Sequence, residues 1–168
     1  RQRQMCIRDS SMHCYRGLDM YERTTYDGVA KDQAVGYYLE DSLKCLEQDP
    51  NFDTYGHIDY ICRYWPYEDK NLHYSEHADL WDEVMKHLIR LDKSIEINTR
   101  RLAVPGAVES LTELYTRYAE LGGKYVTLGS DAHAAKAVGM HFDVAQKIAK
   151  TAGLTIVYYK KRQRQLPK

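Results

Sequence analysis

Three short stretches of the chain place imidazole and carboxylate side chains close together: Ser11-Met12-His13, Gly56-His57-Ile58-Asp59 and Ser130-Asp131-Ala132-His133. In an extended chain residues i and i+2 point to the same side. His57 with Asp59, and Asp131 with His133, can therefore face one site. Imidazole and carboxylate together suit a divalent metal of the Zn, Mn or Fe type. A glycine stands before each pair, Gly56 and Gly129, and lets the backbone turn tightly near an ion. The spacing alone leaves a second reading open, because His-x-Asp is also a common polar pair and Asp131 can cap a following helix. Ser11-Met12-His13 taken alone is a weaker signal. His73, His77 and His87 read as solvated positions in or beside a helix, and His141 as structural.

The elements that must position these groups follow from hydrophobic period. Lys31 to Gln48 carries apolar residues at Ala34, Val35, Tyr38, Leu39, Leu43 and Leu46, a helical stripe that Asp49-Pro50-Asn51 ends. Phe52 to Ile58 reads as a strand, and residues 63–74 as a long loop. Ser75 can cap a helix with an inward stripe of Trp81, Val84, Met85, Leu88 and Ile89. A short strand is expected over Ser94–Asn98, then a helix after Pro105-Gly106 that Gly122-Gly123 stops. Lys124–Gly129 reads as a strand, His133–Ala152 as mostly helix and Leu154–Tyr159 as a last strand. Helix–strand alternation with short joints predicts a parallel α/β sheet. In such folds the site lies at the carboxyl ends of the strands, where the three stretches fall.

Composition narrows the class. With 168 residues the chain suits one domain with a real core. The 24 basic and 24 acidic side chains cancel, so the basic excess of a general nucleic-acid binder is missing. No apolar run approaches the ~20 residues that span a bilayer, and no secretory signal is visible. Cys6, Cys14, Cys45 and Cys62 contain no Cys-x-x-Cys pair and read as reduced thiols of a cytoplasmic protein. The 15 tyrosines against two phenylalanines have no functional explanation at this level. Residue 1 is Arg, and the polar segment Arg1–Asp9 shares Arg-Gln-Arg-Gln with residues 162–165. It is expected to be non-native or disordered, with residues 10–168 forming a single domain.

Taken in order, the motifs resemble a known family. Ser11-Met12-His13 with Gly17-Leu18-Asp19-Met20-Tyr21 is similar to the second metal motif of the PHP (polymerase and histidinol phosphatase) superfamily, and within it to histidinol-phosphatase of the PHP type. Gly56-His57-Ile58-Asp59-Tyr60 with Arg63-Tyr64, Ile95-Glu96-Ile97-Asn98-Thr99 with Arg101, and Leu128-Gly129-Ser130-Asp131-Ala132-His133 follow in the family's order. The resemblance runs from about Ser10 to Tyr159. It implies a distorted seven-fold β/α barrel of the TIM-like type, with up to three divalent ions at the strand ends. His13, His57, Asp131 and His133 are implied as metal ligands, Asp131 and His133 also as catalytic residues. Arg63 and Arg101 match positions that clamp the substrate phosphate, with Arg100 an equal match for Arg101. The implied reaction is hydrolysis of a small phosphate monoester, L-histidinol phosphate, in histidine biosynthesis.

The chain also departs from the pattern. The family's opening His-x-His motif is absent, and so are a further His and a bridging Glu. A barrel of this class needs ~250 residues. The expectation is a carboxyl-terminal part of such an enzyme, lacking the first strands, with an incomplete metal site and no activity on its own. Two alternatives remain: a PHP phosphoesterase acting on nucleotides, and a PHP-like structural module without catalysis.

Overall fold

The computed structural model describes Ile7 and residues 9–167; Cys6 and most of the Arg1–Asp9 segment lie outside the described residues. Among the described residues the first elements are β1 (Asp9–Ser10), a hairpin of β2 (Cys14–Tyr15) and β3 (Leu18–Asp19), and helix α1 (Lys31–Gln48). Then come β4 (Thr54–Tyr55), α2 (Ala78–Arg90), β5 (Ser94–Asn98), α3 (Ala107–Glu120) and β6 (Tyr125–Gly129). Helix α4 (Phe142–Thr151), β7 (Thr155–Ile156), β8 (Tyr158–Lys160) and β9 (Gln163–Gln165) complete it. Among the described residues β1, β4, β5, β6 and β7 form one sheet in that order, every pair parallel. Each strand therefore lies beside the next in sequence, and all their carboxyl ends share one edge. The turns leaving that edge carry Ser11–His13, Gly56–Asp59, Thr99–Arg101 and Ser130–His133.

The helical stripes bury as the period requires. Ala34, Val35, Tyr38, Leu39 and Leu46 of α1, Trp81, Val84, Met85 and Leu88 of α2, and Leu111, Leu114, Tyr115 and Tyr118 of α3 are all buried. Helix α1 packs on α2, and α3 on α4. The tyrosines now have a structural explanation: an apolar ring fills the core while the hydroxyl satisfies a buried acceptor or joins two elements. Tyr38 donates to the Ile58 carbonyl at 3.0 Å, Tyr115 to the Glu96 carbonyl at 2.6 Å and Tyr55 to Ser42 Oγ at 3.1 Å.

Several sequence expectations change. The strand read over Phe52–Ile58 shrinks to Thr54–Tyr55, because the backbone turns at His57. Helix α2 starts after His77, not Ser75; the His77 ring anchors to the Asp32 carbonyl of α1 at 2.8 Å. The helix read over His133–Ala152 is confined to Phe142–Thr151. Gly139 (φ +74°) and His141 (φ +59°) adopt left-handed conformations that stop a helix from extending back. The last strand divides: β7 joins the sheet, while β8 folds back on β9 as a hairpin, with the repeated Arg-Gln pair inside it. Arg162 holds this hairpin to Asp53, beneath the opposite edge of the sheet, at 3.0 Å. Among the described residues no helix is long and apolar enough to cross a membrane.

Candidate functional site

At the carboxyl edge of the sheet a cleft of about 300 Å³ is lined by Asp9, Ser11, His13, His57, Tyr60, Arg63, Tyr64, Arg100, Asp131 and His133. Asp9, which the sequence reading assigns to a non-native or disordered segment, instead pairs with Thr54 in β1 and adds a carboxylate to the lining. The turn after β4 delivers His57 with φ +24°, and its carbonyl starts the 3-10 turn Tyr60–Arg63 by accepting Tyr60 N–H at 2.9 Å. The imidazole is buried, and its Nε2 lies 3.3 Å from Nε2 of His13. Tyr60 packs beside both rings, with centroids 4.4 and 4.9 Å away. Burial, then the charges of Arg63 and His13, push the His57 pKa down to about 4. The ring is therefore neutral at pH 7, the state that binds metals. Among the described residues its buried Nδ1 has no hydrogen-bond partner.

Two nitrogens bound at 2.0–2.1 Å to one tetrahedral ion are about 3.3 Å apart. The His13–His57 spacing fits that edge, and in the absence of an ion it also fits an N–H···N hydrogen bond. On the far side of the cleft Asp131 sits at φ +45°. Its Oδ2 accepts from Arg63 Nη1 and lies 3.4 Å from Arg100 Nη1; its Oδ1 lies 3.4 Å from His133 Nε2. Burial alone raises the Asp131 pKa, but the Arg63 charge and hydrogen bond, with Arg100, outweigh it, so the group is held as a carboxylate.

The four candidate ligands thus share a cleft as two pairs, His13 with His57 and Asp131 with His133. Among the described residues the only trio with all its donor atoms within 4.8 Å is elsewhere: Asp69, His73 and Glu76. Lys31 Nζ occupies that trio, 2.8 Å from Asp69 and 2.9 Å from Glu76, so an ammonium already supplies the positive charge.

The arginines divide differently from the sequence expectation. Arg63 faces the cleft, its Nη2 donating to Asn98 Oδ1 at 3.1 Å. Of the tandem pair, Arg100 lines the cleft, whereas Arg101 lines an adjoining hollow shared with Arg63, Tyr64 and Arg100 and pairs with Asp59 at 2.8 Å, also donating to the Lys70 carbonyl. The idea that His57 and Asp59 face one site together fails, because the left-handed turn at His57 breaks the extended geometry on which it rested. The glycines also act otherwise than expected. A Cβ on Gly56 would lie 2.5 Å from Ser11 Oγ, and one on Gly129 2.2 Å from Glu96 Oε2. Both are close-approach positions, while the left-handed conformations fall on His57 and Asp131. Reading by motif also gave no role to Glu96 and Asn98. Their signal was present: a carboxylate and an amide at i and i+2 in the apolar strand β5.

This fold and donor set define an α/β protein with a metal-type cleft at the ends of its parallel strands. No family model matches the chain. A "Probable histidinol-phosphatase" of Clostridium acetobutylicum is 41% identical over 152 residues, covering 90% of this chain and 60% of the relative. The histidinol-phosphatase of Lactococcus lactis is 32% identical over 145 residues, covering 86% of this chain and 54% of the relative. The chain therefore spans a little over half the length of these curated relatives. A crystal structure of the Lactococcus lactis histidinol phosphate phosphatase, complexed with Zn, L-histidinol and phosphate, superposes with a TM-score of 0.86 at 25% identity, covering 98% of this chain and 63% of that one. Over most of its own length the chain is thus similar to histidinol-phosphatases, in sequence and in fold.

Proposed function

We propose that the protein is a metal-dependent phosphomonoester hydrolase acting on L-histidinol phosphate, and that His13, His57, Asp131 and His133 supply metal ligands in its cleft. The observation that carries this reading is the pair of imidazole Nε2 atoms 3.3 Å apart, facing a carboxylate that two guanidinium groups already neutralise. Divalent ions bound there supply Lewis acidity, which polarises P–O bonds and brings the pKa of a water near neutrality. The protein's own groups do the rest. Arg63 and Arg100 present planar donors suited to phosphoryl oxygens. Tyr60 packs beside the rings, and the burial of His57 keeps it neutral. Zn, Mn and Fe all match a mixed imidazole–carboxylate donor set. Five parallel strands in chain order support a TIM-like β/α barrel as the architecture of the whole protein. A biosynthetic substrate and free thiols support a cytoplasmic location.

These four donor side chains, even with the Asp9 carboxylate that also lines the cleft, cannot saturate up to three four-coordinate ions. The described residues are thus expected to bind metal but to turn over slowly. The test is elemental analysis of the purified chain after Zn or Mn loading, with phosphate release from histidinol phosphate compared with release from nucleoside monophosphates. At least one ion per chain and a preference for histidinol phosphate are expected. A chain that retains no ion overturns the metal site, and a preference for nucleotides overturns the substrate. Turnover at ~1 per second or more would show the four ligands to be sufficient.

A further inference from the structure

Strand β5 lies between β4 and β6, and it places Glu96 and Asn98 on one face beneath the cleft. Burying a carboxylate and an amide in an apolar strand is unfavourable unless each is fully hydrogen-bonded. Here the bonds run to the loops that bear the ligands. Glu96 Oε1 accepts the His57 backbone N–H at 3.3 Å and Asn98 Nδ2 at 2.8 Å. Asn98 Oδ1 accepts Arg63 Nη2 and the Arg100 backbone N–H, both at 3.1 Å. Arg63 in turn donates to Asp131. Gly129 of β6, paired in register with Asn98, leaves the space that the Glu96 carboxylate fills. One continuous run of hydrogen bonds thus joins the His57 turn to the Asp131 turn through β5.

The run ends on two non-glycine residues whose backbones have positive φ, His57 at +24° and Asp131 at +45°. Such conformations persist when their surroundings over-determine them. The Glu96 bond falls on the His57 backbone, and the Asn98–Arg63 arm falls on the Asp131 carboxylate.

We infer that Glu96 and Asn98 are positioning residues that hold His57 and Asp131 in place for metal binding. The inference rests on the metal-site reading above, and its test separates the two. Co(II) titration of the full chain, followed by affinity and d–d spectrum, is the first measurement. Glu96→Ala is expected to weaken binding by about ten- to a hundred-fold, the range for residues that orient a ligand, and to change the spectrum. Glu96→Gln keeps the Oε1 acceptor and the shape, and is expected to restore wild-type behaviour. Glu96→Asp keeps the charge but falls a methylene short of His57 N–H, and should resemble Glu96→Ala; it carries the test if the alanine variant does not fold. Arg162→Ala, at the opposite edge of the sheet, controls for general destabilisation: it should lower the melting temperature and leave Co(II) affinity unchanged. The second measurement needs no metal. Hydrogen exchange at the His57 amide should be slow in the wild type and Glu96→Gln, and faster in Glu96→Asp and Glu96→Ala. A wild type that binds no Co(II), with this exchange pattern intact, overturns the metal reading and leaves the positioning of His57 standing. Equal Co(II) affinity and equal exchange in all the variants overturn the inference.

Discussion

Replacing Arg101 by Met tests whether this side chain holds the fold or the substrate. The Arg101 and Asp59 side chains are 7% and 4% exposed, and their ion pair spans 2.8 Å. Methionine has similar bulk but no charge, so it leaves the Asp59 carboxylate buried and uncompensated. Breaking a buried pair from one side costs about 3–5 kcal/mol. For a chain of this size each kcal/mol lowers the melting temperature by about 2–4 °C, so Arg101→Met should melt roughly 6–20 °C below the wild type. The double variant Asp59→Leu/Arg101→Met removes both charges and should recover most of that loss, because a buried pair replaced by apolar groups is often neutral. Thermal and urea melts of the two single variants and the double give the coupling directly. If Arg101→Met shifts stability by less than about 1 kcal/mol, or the double variant loses the sum of the singles, the pair does not hold the fold. Arg101 would then return as a candidate phosphate ligand.

Phosphate recognition should follow the side chains that reach the cleft. In the metal-loaded chain, Arg63→Ala and Arg100→Ala are each expected to weaken inorganic phosphate binding by about 1.5–3 kcal/mol, the scale of a charged hydrogen bond, when measured by calorimetry. Equal binding in Arg100→Ala would move that role to another cation. The metal-free chain should also lose stability in mild acid. The unfolded His57 takes a proton at pH 6.5, but the folded one refuses it down to about 4. This contribution, about 3 kcal/mol at 1.36 kcal/mol per unit, is complete above pH 6.5 and is lost as the pH falls toward 4. Urea midpoints followed between pH 7 and 4 should flatten in His57→Gln; an unchanged slope in that variant would assign the acid sensitivity to other groups.

The parts of the fold that were legible in the sequence are those with local causes. Helix α1 was read to its observed ends because an apolar stripe runs its length and Asp49-Pro50 stops it. Strand β5 and the start of α3 after Gly106 were equally local. The segment 133–141 reads as helix because its alanines favour one, and the left-handed turn at His141 that prevents it has no signal in the sequence. The site was legible as residue types and only partly as geometry. His13, His57, Asp131 and His133 line one cleft, whereas i, i+2 alternation would place Asp59 there too. Asp59 instead meets Arg101, 42 residues away. No local pattern separates Arg100 from Arg101, because what distinguishes them is the pairing of Arg101 with this distant carboxylate.

The two sides of the cleft differ in how ready they are for ligands. His13 and His57 present facing Nε2 atoms, and among the described residues no ion pair has to break before either can bind a cation. Asp131 is already neutralised: Arg63 and Arg100 both approach its Oδ2. A cation that takes up this oxygen must displace at least part of that pairing, and an oxyanion entering the cleft competes for the same two guanidinium groups. An anion that draws Arg63 away frees the carboxylate, and a cation on the carboxylate frees Arg63 for an anion. Cation and anion binding on this side should therefore be mutually favourable, by the same factor in either direction. Arg63 is fixed at its other nitrogen by Asn98, so the exchange can proceed by a small rotation about an anchored guanidinium while the side chain stays in the cleft.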